Sequence, residues 1–359
     1  MKIAIVVGTR PEIIKMSPVI LYCEQQAIPY FILHSGQHYS YNLDKVFFEQ
    51  LELPQPLYNL DVGSGSQAVQ IGRILQGMEP ILMKEKPSVV LVEGDTNTVL
   101  AGALAAAKLQ IPVGHVEAGL RSYDRSMPEE INRVLTDHCS DYLFAPTEKS
   151  RQILRGEGIP DQKVFVTGNT IVDAVVRNRL LAEKKTTILQ ELGVRPKQYF
   201  LATVHRQENV EKKTRFSEIL SGLFQVQKKY GLPVLYPMHP HARRKMEEFG
   251  LSGEGITLLD PVDYLSFLQL EKNAQIVLTD SGGVQEEACI LGIPCVTLRE
   301  NTERPETLEV GANVLAGTDP ERIVSCVASM VKVNKQWDNP FGSGIAGKQI
   351  IEILRKVLE

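Results

Sequence analysis

Three acidic residues, Asp95, Glu117 and Glu129, sit where short apolar runs end or an amphipathic run begins. Asp95 follows Val89-Val-Leu-Val92 and the turn Glu93-Gly94, Glu117 follows Val113-Gly-His-Val116, and Glu129 and Glu130 come directly after Pro128 at a predicted helix start. If the two runs are neighbouring strands, their carboxylates share one sheet edge, an arrangement suited to moving a proton to and from a substrate. Each acid also has a plain structural reading. A carboxylate in a first helical turn is favoured by the helix dipole, and Arg133, four residues after Glu129, fits a partner on the same helix surface. His205 and Arg206 end a further run, Phe200 to Val204, with Glu208 and Asn209 close behind. Both an acid/base or hydrogen-bonding role and a purely structural one fit a histidine at a strand end.

Two segments have the chemistry of anion sites. In Val7-Gly8-Thr9-Arg10-Pro11-Glu12, Gly8 permits a tight turn, Pro11 suits a first helical position, and Arg10 and Lys15 flank the helix start. Free amides, the positive dipole end and two cations favour a phosphate; a surface turn with solvated cations is the competing reading. In Asp280-Ser281-Gly282-Gly283 the paired glycines let backbone amides approach a diphosphate, Ser281 adds a hydroxyl, and Glu287 is placed to bridge a ribose diol. Phe267 suits stacking on a base, although its spacing with Leu265, Leu268 and Leu270 suits a core position equally. His239 and His241 flank Pro240 without a third ligand at zinc-like spacing, so no metal site is predicted. Gly63-Ser-Gly65-Ser-Gln-Ala68 fits a dinucleotide fingerprint but does not follow a buried strand, and Tyr41-Asn-Leu-Asp-Lys45 lacks the amino-terminal nucleotide turn that would give it meaning. No nicotinamide or other cofactor is expected.

These residues need a scaffold. The chain has 359 residues, 43% hydrophobic, with Lys+Arg 39 against Asp+Glu 43 and a net charge of -4, which excludes a disordered chain and argues against a nucleic-acid backbone binder. The five cysteines are odd in number and widely spaced, as expected of reduced thiols. The apolar start Ile3 to Val7 is too short for a signal segment and no run approaches a membrane span, so a cytoplasmic protein is expected. Short β-branched runs alternate with longer amphipathic ones throughout, predicting α/β architecture with parallel sheets covered by helices. The alternation pauses between about Asn178 and Gln198 and then restarts. We read two doubly wound domains, 1–178 and 198–338, and a final helix within 340–359 that packs back on the first. Two facing sheets of this kind would set a site in the cleft between them.

Gly8-Thr-Arg-Pro-Glu-Ile-Ile-Lys15, Glu93-Gly-Asp-Thr96, His115-Val-Glu-Ala-Gly-Leu-Arg121, Pro128-Glu-Glu-Ile-Asn-Arg133, Asp280-Ser-Gly-Gly-Val-Gln-Glu-Glu-Ala288 and Thr302-Glu-Arg-Pro-Glu306 together resemble the non-hydrolysing UDP-N-acetylglucosamine 2-epimerases. The resemblance runs in order along nearly the whole chain. It implies a GT-B fold of two Rossmann-like domains, a UDP-sugar as ligand, no cofactor or metal, and a homodimer. By that resemblance Asp95, Glu117 and Glu129 are the catalytic acids, assisted by His205. Ser281, Gly282, Gly283 and Arg10 hold the diphosphate, Glu287 the ribose and Phe267 the uracil, with Lys15, Arg133, His205 and Arg304 completing the ligand shell. Glu117-Ala-Gly-Leu-Arg-Ser-Tyr-Asp-Arg125 is also similar to epimerases of UDP-diacetamido-uronic acids, the nearest alternative; a GT-B glycosyltransferase is the next. After Gln37-His38 the chain reads Tyr39-Ser40-Tyr41-Asn42, where bacterial members carry another polar pattern beside a regulatory substrate site, and Val262 stands where some members have Gln.

Overall fold

The structure, a computed structural model, describes residues 1–36, 41–334 and 336–358, with side chains at 41–44 excepted. The segment Gln37 to Asn42, singled out above, therefore lies outside the residues whose side chains are described. The chain forms two compact units, Met1–Val176 with Phe341–Glu359, and Arg177–Pro340.

In the first unit, strands β1 (Ile3–Val7), β2 (Tyr30–His34), β3 (Tyr58–Asn59), β4 (Val89–Glu93), β5 (Val113–Val116), β6 (Tyr142–Ala145) and β7 (Val164–Val166) alternate with helices α1 (Arg10–Gln25), α2 (Tyr41–Gln50), α3 (Gln67–Glu85), α4 (Asn97–Lys108), α5 (Pro128–Cys139), α6 (Glu148–Gly156) and α7 (Thr170–Lys185). All strand pairs are parallel and the order is β3-β2-β1-β4-β5-β6-β7. Every residue of β1, β4 and β5 is buried, as a sheet covered on both faces requires. Connections run one way from β1 and the other way from β4, so the strand order reverses between them. A crevice for ligands opens at such a reversal, outside the carboxyl ends of the strands.

The second unit repeats the plan. Its elements are α8 (Ile188–Glu191), β8 (Phe200–Thr203), α9 (Gln207–Val210), α10 (Lys213–Tyr230), β9 (Val234–Pro237), α11 (Pro240–Glu248), β10 (Ile256–Leu259), α12 (Tyr264–Asn273), β11 (Ile276–Thr279), α13 (Gly282–Leu291), β12 (Cys295–Thr297), α14 (Pro305–Glu309), β13 (Asn313–Leu315) and α15 (Pro320–Met330). The sheet order is β10-β9-β8-β11-β12-β13, again parallel, with the reversal between β8 and β11. Phe200, Tyr236, Phe216 and Leu223 fill the core on one face; Tyr199, Leu201 and Leu270 fill it on the other.

Residues 178–198 do not form a separate connection. Helix α7 runs through the unit boundary to Lys185, its polar Glu183-Lys-Lys185 exposed while Ala182 is buried, and Ile188 of α8 is buried with Tyr199 and Leu201. A charged helix face looked like a linker in sequence because both are polar. The last helix, α16 (Ala346–Leu358), belongs to the first unit: Ile350, Ile351 and Leu354 are buried, and the Asp173 carboxylate accepts from the Ala346 and Gly347 amides at 3.1 Å each. No helix among the described residues is long and apolar enough to cross a membrane.

Candidate active site

At the strand reversal of the first unit, β1 passes through Gly8 and Thr9 into α1. A Cβ on Gly8 would stand 2.2 Å from the Thr98 hydroxyl, so only glycine lets the turn pass that close to α4. Glu12 turns back onto this corner, accepting from the Gly8 amide at 2.6 Å and the Thr9 hydroxyl at 2.9 Å. Burial nevertheless pushes its carboxyl up to about 7. Lys15, one turn further, is buried against carboxylates: it is paired with Glu117 and lies 3.3 Å from Glu93. Arg10 instead is exposed, its guanidinium 5.6 Å from the centre of the Phe47 ring. Residues five apart on a helix point about 140° away from each other, so Arg10 and Lys15 do not flank one spot as the linear motif suggested.

Glu117 leaves β5 with a left-handed backbone, φ 69°, rare for a residue other than glycine. Its carboxylate accepts from Asn169 at 3.0 Å besides its pairing with Lys15. Glu93, at the end of β4, is 1% exposed. Burial raises its carboxyl well above the usual range, with Lys15 opposing the shift and Glu117 adding to it. Two carboxylates, Glu93 and Glu117, thus face one ammonium, and burial pushes Glu93 and Glu12 towards their neutral forms.

Asp95 stands beyond the Gly94 turn and is paired with Arg133 of α5, whose second contact is Glu130 at 3.3 Å. Arg133 is therefore not the partner of Glu129. Glu130 is the member of that pair that folds inward, accepting from the Ser122 amide and hydroxyl and the Tyr123 amide at 2.9 to 3.0 Å. Glu129 stays exposed and lines a cavity of about 260 Å³ with Asp95, Asn97, Gln70, Ser64 and Gly65. The Gly63-Ser-Gly65 segment, dismissed above as a dinucleotide fingerprint, is thus one wall of the cavity that Asp95 and Glu129 share. Asn132 braces the opposite side, donating to the Asp95 carbonyl at 3.0 Å and to Asn97 at 3.2 Å.

At the reversal in the second unit, His205 ends β8 and Asp280 ends β11. Asp280 is fully buried and accepts from the His205 amide, the Arg206 amide and Asn209, each at 3.0 to 3.2 Å, while His205 Nδ1 lies 2.9 Å away. Burial works against its charge, but His205 and these donors outweigh it and hold the carboxyl below the usual range. His205 is half exposed, its imidazole fixed at Nδ1. Ser281 caps α13, with Gly282 and Gly283 as its first residues and Gly283 exposed. Glu287, one turn in, accepts from the hydroxyl of the half-buried Tyr264 at 3.0 Å. Phe267 is partly buried against the Tyr199 and Leu201 core, in keeping with its apolar spacing. Arg304 lies 2.7 Å from Glu286 of α13. Next to it Arg299 forms a bidentate pair with Glu303 at 2.9 Å. Although burial opposes it, Arg299 holds the Glu303 carboxyl at about 2.

Glu12, Glu93, Asn169 and Asp280 were not selected from the sequence. Glu93 and Asp280 had a usable signal, an acid at the very end of an apolar run; Asn169 had none.

A family model described as UDP-N-acetylglucosamine 2-epimerase matches residues 22–355. The UDP-N-acetylglucosamine 2-epimerase of Methanocaldococcus jannaschii is 54% identical over 361 residues, covering 99% of each chain. A crystal structure of the M. jannaschii enzyme in complex with UDP-GlcNAc and UDP matches with a TM-score of 0.91 over 99% of this chain and 100% of that one, at 53% identity. The UDP-2,3-diacetamido-2,3-dideoxy-D-glucuronate 2-epimerase of Pseudomonas aeruginosa is 42% identical, covering 99% of this chain and 100% of its own.

Proposed function

The chain belongs to the UDP-N-acetylglucosamine 2-epimerase family, and on that premise we propose that it interconverts UDP-N-acetylglucosamine and UDP-N-acetylmannosamine without net hydrolysis. The observation that carries the reading is the group of carboxylates at the strand ends of the first unit. Asp95 and Glu129 share a cavity, and Glu117 is held by Lys15 and Asn169.

The chemistry explains the need for acids. The hydrogen at C2 of the sugar has no adjacent carbonyl to acidify it, so removing it requires a leaving group at C1. A carboxylate takes the C2 proton as the C1–O bond to UDP breaks, and the electron pair forms the C1–C2 double bond of a 2-acetamidoglucal. UDP then adds back at C1 while a proton arrives at C2 from the other face. Asp95, Glu117 and Glu129 are the groups proposed to carry these protons. Arg133 keeps Asp95 oriented.

The second unit supplies the nucleotide cradle in this reading. Ser281 and the amides of Gly282 and Gly283 open a ten-residue helix, where partial positive charge favours a diphosphate. His205, fixed by Asp280, and the cations Arg10 and Arg304 are assigned to the same anion, Glu287 to the ribose and Phe267 to the uracil. The protein is proposed to act in the cytoplasm as a homodimer, which sedimentation of the purified protein tests.

The test is proton NMR with UDP-N-acetylglucosamine in deuterated water, without metal, nicotinamide or acceptor. UDP-N-acetylmannosamine carrying deuterium at C2, with no accumulating UDP, is expected. The 42% identical relative marks the nearest alternative substrate, a UDP-2,3-diacetamido-glucuronate. Turnover of that sugar alone would move the assignment to it.

A further inference from the structure

We propose that His115 is a positioning residue that fixes the two turns carrying Asp95 and Glu117, so that its loss slows proton transfer without weakening nucleotide binding. The proposal rests on the epimerase reading above. His115 is the third residue of β5, fully buried in the middle of a strand whose other side chains are apolar or absent. A polar ring there must be satisfied on both sides, and it is: Nδ1 lies 2.6 Å from the Asp137 carboxylate and Nε2 lies 2.8 Å from the Gly94 carbonyl. The ring is thus held from both sides, by a carboxylate and by a backbone carbonyl.

These two contacts reach the two catalytic turns. The Gly94 carbonyl belongs to the peptide that leads directly into Asp95, and the Gly94 amide donates to the Val116 carbonyl at 3.2 Å, the peptide leading into Glu117. The other Asp137 oxygen accepts from the Gly119 amide at 3.2 Å and from Arg121 at 2.7 Å, immediately after Glu117. Arg121 is anchored in turn by a bidentate pair with Glu157 at 2.7 and 2.6 Å. One ring therefore holds the approach to Asp95 directly and the exit from Glu117 through Asp137.

The backbone it holds would not stay in place unaided. Gly94, Glu117 and Gly119 all lie in the left-handed region, at φ 86°, 69° and 85°. A Cβ on Gly119 would meet the Ser150 carbonyl oxygen at 2.5 Å, so this turn is pressed against α6. Residues in such conformations persist where their surroundings over-determine them. The buried group is tied together, with Asp137 and Glu157 both facing Arg121. Buried ion pairs of this kind are weak stabilisers compared with apolar packing, which points to geometry as their use. Displacement of a reacting group by about 1 Å is enough to cost on the order of 100-fold in rate.

Two substitutions separate the contacts. In His115→Asn the side-chain amide reaches the Nδ1 position and keeps Asp137 but loses Gly94. In His115→Gln it reaches the Nε2 position and keeps Gly94. We expect kcat to fall roughly 100-fold in His115→Asn with KM and UDP affinity within about twofold of wild type, and His115→Gln to recover to within about tenfold of wild type. Wild-type turnover in His115→Asn, or equal losses in both variants accompanied by a raised KM, would overturn the proposal. A measurement on the unaltered protein guards against misfolded variants: the Gly94 and Gly119 amides should exchange slowly with deuterium in the wild type, and fast exchange at both would overturn it as well. If wild-type protein itself leaves UDP-N-acetylglucosamine unchanged, the epimerase reading falls; if wild type turns over and His115→Asn matches it, only the present proposal falls.

Discussion

The strand ends of the two units treat their carboxylates in opposite ways. In the first, burial outweighs the partners: Glu12 is raised to about 7 and Glu93 is raised well above the usual range although Lys15 lies 3.3 Å away. In the second, the partners outweigh burial: Asp280 is held low by His205, two amides and Asn209, and Glu303 is held at about 2 by Arg299. Both regions sit at a strand-order reversal of the same kind of sheet. The difference teaches that topology chooses where a site lies, while the number and charge of donors around each acid decide whether it exchanges protons or stays a fixed anion. The first region sets two acids that lean towards their neutral forms beside the groups proposed to carry protons. The second suits a rigid cradle whose donors are already in place.

The largest effect should come from the first region. Glu117→Gln keeps the shape of the side chain and removes its charge, and turnover is expected to fall by roughly 100-fold to 10,000-fold while calorimetry shows UDP affinity within a few-fold of wild type. Equal loss of both would erase the contrast between the units. Asp280→Asn attacks the other side. It leaves an anion-centred set of donors without its charge, and should cost about 3 kcal/mol in chemical denaturation together with weakened UDP binding. Unchanged UDP affinity would remove His205 and its neighbours from the cradle.

The pH dependence of stability should have opposite slopes in the two regions. Glu12 has a folded value near 7, above its ordinary 4.5, so the contribution it makes is fully present below about 4.5 and is lost as pH rises through 7. Glu303 has a folded value near 2, so its contribution is present above about 4.5 and is lost as pH falls towards 2. Each spans about 3 kcal/mol at its full extent. Comparing Glu12→Gln and Glu303→Gln with wild type across pH should flatten the alkaline limb in the first and the acid limb in the second. Flattening of the same limb in both would break the comparison. The smallest effect comes from the contact between α7 and α16. Asp173→Ala removes the carboxylate that accepts from the first amides of α16 and should lower stability by about 1 kcal/mol, with turnover unchanged.

Much of this was legible in the residues. The parallel sheets followed from short β-branched runs, and Asp95 and Glu117 could be picked out because an acid just beyond an apolar run lies near a strand end. What stayed hidden were partners distant in sequence. Lys15 and Glu117 are 102 residues apart, His205 and Asp280 are 75 apart, and no local pattern announces either pair. Local patterns even misled. The spacing of Arg133 from Glu129 is right for a helix pair, yet Arg133 turns inward to Asp95 and Glu130 because it shares the buried face of α5 with Glu130 while Glu129 is exposed. The Gly63-Ser-Gly65 turn looked irrelevant because it follows no buried strand, but the start of α3 places it on the cavity that Asp95 and Glu129 line. Strand-end identity is a local property; pairing is a property of the assembled sheet.

The central claim is that the sugar is inverted by expelling UDP and taking it back while it stays bound. Positional isotope exchange tests this most directly, using UDP-N-acetylglucosamine labelled with oxygen-18 in the bridge between C1 and the β-phosphorus. The account predicts that label scrambles into the non-bridging positions of the β-phosphate as the C2 epimer forms, with no UDP accumulating in solution. Epimer formed with the label still wholly in the bridge would contradict it.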